Sequence, residues 1–323
     1  MSDTEKSNPF ASRLDIRYTL LTSPPAQDHV LPGFLAGTVG MLAGPGGVGK
    51  TMFELQVALA VACGGSICGG MFDGGATGAL MSTRPGKVVI VVAEEAVDVI
   101  WHRLHAVFST LYPDLLGIDM EPEELLNLWV ENLHIYPLAG VPRVTLMDQD
   151  LIPADSFKQL MTVCEGTRLV MLDPIRRFHT SDENNSGAMT ALVQLLQEIS
   201  SRTKAAVMFA HHTNRASTQL GQGDTAGAAR GSTALSDGVR WQLNLSKPTR
   251  EMAKRLGIAE DDAGRYVMAD IAKSNYLPPQ PTVMLERRAG GVLIRADQMR
   301  QSSTKAPFKS RASKVAKPKL TVI

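Results

Sequence analysis

Eight consecutive residues, Gly44-Pro45-Gly46-Gly47-Val48-Gly49-Lys50-Thr51, have the types and spacing to hold a phosphate chain, G-x-x-x-x-G-K-[ST] in full. Glycines let successive backbone N–H groups turn inward on an anion, and the N-terminus of a following helix adds its partial positive charge. Lys50 can reach the outer phosphates and the Thr51 hydroxyl can bind Mg²⁺. The chemistry is nucleotide binding. Three carboxylates have the placement to complete it. Glu94 and Glu95 follow the β-branched run Lys87 to Ala93, where a carboxylate can polarise an attacking water. The alternative is that they only begin the next helix, whose N-terminus favours acids. Asp173 closes the apolar run Arg168 to Leu172 in the manner of a Walker B element, which holds Mg²⁺.

Further polar residues sit at the ends of predicted elements. His211 and His212 end the apolar run Ala205 to Ala210, next to the γ-phosphate if the strand order is the usual one for such ATPases. Adjacent histidines lack the spacing to share one zinc ion. Arg240 could reach a neighbouring subunit's nucleotide as an arginine finger, or form a surface salt bridge. Arg176 and Arg177, beside Phe178, could grip a nucleic-acid backbone or pair with acids across a subunit contact.

These residues need a scaffold of buried parallel strands. Thr38 to Ala43 reads as a strand before the phosphate loop, and Met52 to Ala62 as an amphipathic helix after it. Helices are predicted over 96–112, 121–132, 153–165 and 189–202, and strands over 87–93, 133–136, 168–173, 205–210 and 239–245. Strand-like runs at 265–273, 282–287 and 291–295 suit an antiparallel edge, and the Gly-rich stretch 64–86 reads as loop. The fold class is α/β, with a mostly parallel central sheet. The organisation expected is a loose arm over 1–29, a core over 30–297 and a basic flexible tail over 298–323.

With 323 residues, 44% of them apolar, the chain can bury a large core. Lys and Arg number 33 against 32 Asp and Glu, so average charge identifies no partner. Residues 301–323 hold six basic and no acidic side chains, so the rest of the chain, the net +1 less these six, stands at −5. Such a tail attracts nucleic acid without reading its sequence, or merely solubilises. Cys63, Cys68 and Cys164 lack metal-site or disulfide spacing and read as buried thiols. Their reduced state, a polar acidic start and the lack of a ~20-residue apolar run place the protein in the cytoplasm, with no membrane contact.

The succession of phosphate loop, Ala93-Glu94, His102-Arg103-Leu104-His105-Ala106, Leu172 to His179, His211-His212, Ala229-Arg230-Gly231-Ser232, Val239 to Gln242, Lys273 to Tyr276 and Gly290 to Leu293 resembles the RecA-type core. More closely, it is similar to the RepA-type replicative DNA helicases of broad-host-range plasmids, over about residues 28 to 295. The resemblance implies a homohexameric ring that hydrolyses ATP with Mg²⁺ between subunits and moves 5′ to 3′ on single-stranded DNA, with replication initiation proteins as further partners. Lys50 and Thr51 would bind phosphate and Mg²⁺, Asp173 would organise the metal, and Glu94 would activate water. His211 and His212 would link the γ-phosphate to the DNA-facing loop, and Arg240 would serve the neighbour's site. Arg176, Arg177, Arg215 and Arg230 fall in the loops expected to contact DNA. Glu95 departs from the aspartate of the family pattern. Two alternatives stay open: a RecA-like ATPase that remodels DNA without unwinding it, and, from another class, a nucleotide-gated scaffold indifferent to DNA.

Overall fold

A computed structural model describes residues 10, 13–72, 84–111, 120–142, 144–213, 233–255 and 257–296. Two short strands, β1 (His29–Leu31) and β2 (Phe34–Leu35), pair antiparallel. The main sheet is built from β3 (Val39–Gly44), β4 (Val88–Val92), β5 (Leu133–Pro137), β6 (Leu169–Asp173), β7 (Ala206–His212), β8 (Trp241–Ser246), β9 (Tyr266–Ser274), β10 (Val283–Arg287) and β11 (Leu293–Arg295). Its nine strands run in the order β11-β10-β9-β8-β3-β7-β6-β4-β5. From β8 to β5 all pairings are parallel, and from β8 to β11 all are antiparallel. The antiparallel edge falls where the sequence predicts it. The chain crosses from β3 to β4, skipping β7 and β6, so the strand carrying the phosphate loop lies at a switch point, where ligands bind outside the carboxyl ends of strands.

The inner parallel strands β3, β4 and β6 are buried on both faces, which is why they read as unbroken apolar runs. Helices α2 (Lys50–Cys63), α3 (Val97–Leu111) and α4 (Pro122–Asn132) pack with Leu42, Ile90 and Met171 on one face. Helices α5 (Asp155–Val163) and α6 (Ser186–Thr203) pack with Met41, Val91 and Leu172 on the other. A sixth helix, α1 (Ile16–Leu21), lies within the stretch expected to be a loose arm and buries none of its residues. Residues 22–28 connect it to β1, and Arg168, just before β6, fixes Asp28 by a bidentate bond at 3.0 and 2.8 Å.

One local expectation needs correction. Helix α2 has no solvent face: every residue from Met52 to Cys63 is buried, Glu54 and Gln56 included. It lies between the sheet and a second helical layer, where Trp129 and Asn132 of α4 donate to its Leu59 and Ala62 carbonyls at 2.9 Å. A central helix carries apolar residues all round, with polar ones only where a partner waits. Gln56 is such a residue, since its Nε2 donates to the Leu293 carbonyl at 2.7 Å and its Oε1 accepts the Leu293 N–H at 2.8 Å. The helix is thereby tied to β11. Gly290, at φ 68°, closes the β10–β11 turn against α3, where an added Cβ would meet the Ala106 Cβ at 2.4 Å. Cys63, Cys68 and Cys164 are buried free thiols. Among the described residues no helix is long and apolar enough to cross a membrane.

Replacing Gln56 by Leu strands the Leu293 N–H and C=O in the core, and each stranded group costs about 1–3 kcal/mol. The expected result is a loss of roughly 2 kcal/mol or more in urea denaturation, with the nucleotide-free fold retained by circular dichroism.

Candidate nucleotide site

The phosphate loop leaves β3 at Gly44 and enters α2 at Lys50, and its hinge is Gly49, the N-cap residue, at φ 106°. That left-handed conformation suits only glycine without strain. The loop's backbone therefore delivers Lys50 and Thr51 to the first turn of α2, where four N–H groups lack helical partners and the positive end of the helix dipole lies.

Lys50 is buried, and its ammonium donates to the Gly44 carbonyl at 2.9 Å, the Pro45 carbonyl at 3.2 Å and His212 Nδ1 at 3.1 Å. An ammonium has three protons, and here each has an acceptor. His212 Nδ1 then carries no proton, which places the ring proton on Nε2. Burial pushes the Lys50 ammonium below its usual range, and the carboxylates of Asp173 and Glu94 pull it back. Thr51 Oγ1 donates to Asp173 Oδ2 at 2.6 Å, so the last residue of β6 meets the first turn of α2. A hydroxyl and a carboxylate at this separation are the hard oxygen donors that Mg²⁺ takes when phosphates supply the rest of its shell. These two side chains fit the metal.

The strand of the two histidines is longer than predicted, since β7 runs through His212. Parallel register places Ala43 beside His211 and Gly44 beside His212, and Thr213 N donates to the Gly44 carbonyl at 3.2 Å. Both histidines line a cavity of about 100 Å³ with Pro174, Arg176, Glu183 and Ala210. Arg176 turns back on its own loop, with His179 and Ser181 carbonyls at 3.4 and 3.5 Å and Glu183 at 3.8 Å. Arg177 points elsewhere, lining a small recess with Leu138, Val141 and Phe178. The two arginines do not share one surface. Arg215 and Arg230 lie outside the described residues.

The two consecutive glutamates separate. Glu94 is exposed and close enough to act on Lys50, whereas Glu95 is half-buried and ion-paired with Arg103 of α3. Burial pushes the Glu95 carboxyl up, with Arg103 opposing. Arg240 precedes β8, its N–H bonded to the Val39 carbonyl at 3.0 Å. That is the amino end of the sheet, and the phosphate loop is roughly 15 Å away along β3 at the usual rise per strand residue. Arg240 is exposed and not gathered into its own chain's site.

Two contributors escape sequence reasoning. Arg287 of β10 donates from Nη2 to the Val48 carbonyl at 2.9 Å, bracing the phosphate loop from outside. Only the Arg-Arg pair before Gly290-Gly291 hinted at it. Glu54 is fully buried one turn beyond Lys50, with neither oxygen in a well-formed hydrogen bond, although Asp173 is close enough to act on it. Burial first, then the Asp173 carboxylate, pushes the Glu54 carboxyl well above the usual range, with Lys50 opposing. Its position, Lys50 plus four on a predicted helix, was the available signal.

A phosphate loop on a switch-point strand, a Walker B aspartate on the next strand but one, and this strand order define a P-loop ATPase fold of the RecA-like type. The sequence profile of the family described as AAA domain matches residues 7–218, and the chain belongs to that family. Solved structures agree on the fold. A DnaB-like replicative helicase, described with its interactions with primase, superposes with a TM-score of 0.53 at 15% identity, over 81% of this chain and 58% of that one. The ATPase domain of G40P superposes with a TM-score of 0.51 at 16% identity, over 83% and 91%. This chain thus spans a little over half the length of the first.

Glu54 gives the site a pH signature. The folded protein keeps a proton that the unfolded chain releases above its ordinary value of 4.5, so this group's stabilisation is full below that value and is lost as pH rises above it. Without nucleotide or Mg²⁺, Glu54→Gln should therefore gain on the native chain in urea denaturation between about pH 5 and about pH 8. An unchanged difference across that range would show Glu54 to be ionised in the fold.

Proposed function

We propose that the protein is an ATP-dependent DNA helicase of the RepA type, a homohexameric ring that moves 5′ to 3′ on single-stranded DNA in plasmid replication. The observation that carries the reading is the 3.1 Å contact between Lys50 Nζ and His212 Nδ1. It joins the group that would meet the outer phosphates to the end of β7, from which the chain enters the 213–230 loop expected to face DNA. A change at the phosphate then has a direct route to that segment. Enclosing 30–297 as the motor, with arm and tail outside it, and loading by replication initiation proteins belong to the same reading and rest on the sequence resemblance.

ATP would lie along the phosphate loop, with Mg²⁺ at Thr51 and Asp173. When bound, the ion neutralises phosphate charge. Glu94, exposed and in no ion pair among the described residues, is the residue to accept a proton from the attacking water, while Glu95 is committed to Arg103. Arg240, at the opposite end of the sheet from its own phosphate loop, is suited to a neighbour's site. Its backbone is fixed by Val39 and by Asn275, whose N–H donates to the Arg240 carbonyl at 3.2 Å. Lys273, bonded to the Ser236 carbonyl at 2.8 Å, steadies the turn leading to it.

The test is displacement of a strand from a partial duplex with a free 5′ tail, with ATP and Mg²⁺. The native chain should displace it and Lys50→Ala should not, its hydrolysis falling by ~100-fold or more. Arg240→Ala should lower hydrolysis by ~1000-fold and leave nucleotide affinity within a few-fold; normal turnover in that variant overturns the finger assignment. Hydrolysis without displacement, indifferent to single-stranded DNA, would instead make the protein a nucleotide-gated scaffold.

A further inference from the structure

Between the ends of β6 and β7, behind the place of the outer phosphate, lies the cavity of about 100 Å³ lined by Pro174, Arg176, Glu183, Ala210, His211 and His212. It has several times the room that one water needs. Two of its lining residues also border the nucleotide side. Pro174 follows Asp173, the carboxylate bonded to Thr51, and the ring of His212 meets the Lys50 ammonium at 3.1 Å. Ala210 and His211 are sealed from solvent, whereas the Arg176 side chain is 44% exposed. The cavity therefore leads from the wall of the phosphate seat to open water.

Arg176 is poorly used by its own chain. A guanidinium has five N–H donors, and its charge-assisted bonds to oxygen are short, about 2.7–2.9 Å. Among the described residues every contact of Arg176 is longer: the His179 and Ser181 carbonyls at 3.4 and 3.5 Å, and the Glu183 carboxylate at 3.8 Å. A loosely held guanidinium in a polar recess is placed to take an oxyanion by two parallel bonds. A second N–H group in the lining is the ring of His212, whose proton sits on Nε2.

We propose that this cavity is a binding site for inorganic phosphate, the product that ATP hydrolysis leaves on the other side of His212. Arg176 is its anchor, and Glu183 holds the guanidinium until the anion takes its place. A nucleic-acid phosphate carries a sugar on each side and does not enter a recess closed at its inner end by Ala210 and His211. Arg176 thereby leaves the set of DNA-contacting arginines that the sequence suggests. The inference rests on the ATPase part of the reading above and not on unwinding.

The test is equilibrium dialysis of the full-length chain against radiolabelled inorganic phosphate, with Mg²⁺ and a non-hydrolysable ATP analogue present so that the seat beside Lys50 is already filled. The native chain should bind phosphate under these conditions. Arg176→Ala should weaken the binding by ~10-fold or more, and Arg176→Lys should recover part of it. Glu183→Gln should tighten it several-fold, because a like charge is removed from beside the anion. A variant that binds more tightly than the native chain is not explained by loss of structure. No phosphate bound with the analogue in place, or equal binding by Arg176→Ala, overturns the site. So does weaker single-stranded DNA binding by Arg176→Ala at unchanged phosphate affinity, which returns the arginine to the DNA surface. The helicase reading fails separately: a chain that displaces no strand but takes up phosphate in this pattern keeps the site, and one that binds no analogue loses the ATPase and the site together.

Discussion

A buried ammonium must have a partner for each of its protons, and around Lys50 that requirement organises the whole carboxyl edge of the sheet. Two of its acceptors are carbonyls of its own loop and the third is the ring of His212, 162 residues away in sequence but adjacent in space. Meeting it forces β3 and β7 to be neighbours in a fixed register. That register in turn leaves Thr51 beside Asp173 on the strand beyond. Leaving one donor unmet would cost more than a typical hydrogen bond contributes, because the group has no water to fall back on.

The acids near this ammonium divide by environment rather than by type. Asp173 is engaged by a hydroxyl, Glu95 by an arginine, Glu94 faces solvent, and Glu54 is enclosed beside Asp173. Four carboxyls in one neighbourhood cannot all be charged cheaply, and the enclosed one gives way first. The geometry thus keeps negative charge where a cation can use it and withholds it beneath the phosphate loop.

Much of this was open to reading from the sequence. The phosphate loop, the buried strands and the residues ending them follow local rules, and periodicity separates them because strands covered on both faces tolerate no polar residue. The antiparallel edge, whose strands are only partly buried, was legible from the strand-like runs at 265–273, 282–287 and 291–295. Helix α2 reads as amphipathic in sequence, yet its two polar residues after the first turn, Glu54 and Gln56, are both buried. A polar side chain's partner far along the chain, such as Leu293 for Gln56, leaves no local trace. Arg287 escaped likewise: its role depends on β10 passing behind Val48, which the spacing of residues does not encode. That Glu95 and not Glu94 takes the arginine depends on where the first turn of α3 points, a matter of one residue's rotation.

The phosphate loop is held from behind as well as in front. Arg287 grips Val48 and Gln56 grips Leu293, so the β10–β11 hairpin touches both the loop and the helix that follows it, although it lies three to four strands from β3 in the sheet order. The hairpin behaves as a caliper closed on the loop-helix junction, with its jaws set by two polar links. Any rearrangement that spreads those jaws reaches solvent at the outermost strand. In a chain whose chemistry sits near the middle of the sheet, β10 and β11 are therefore the strands that gauge whether the first turn of α2 has moved.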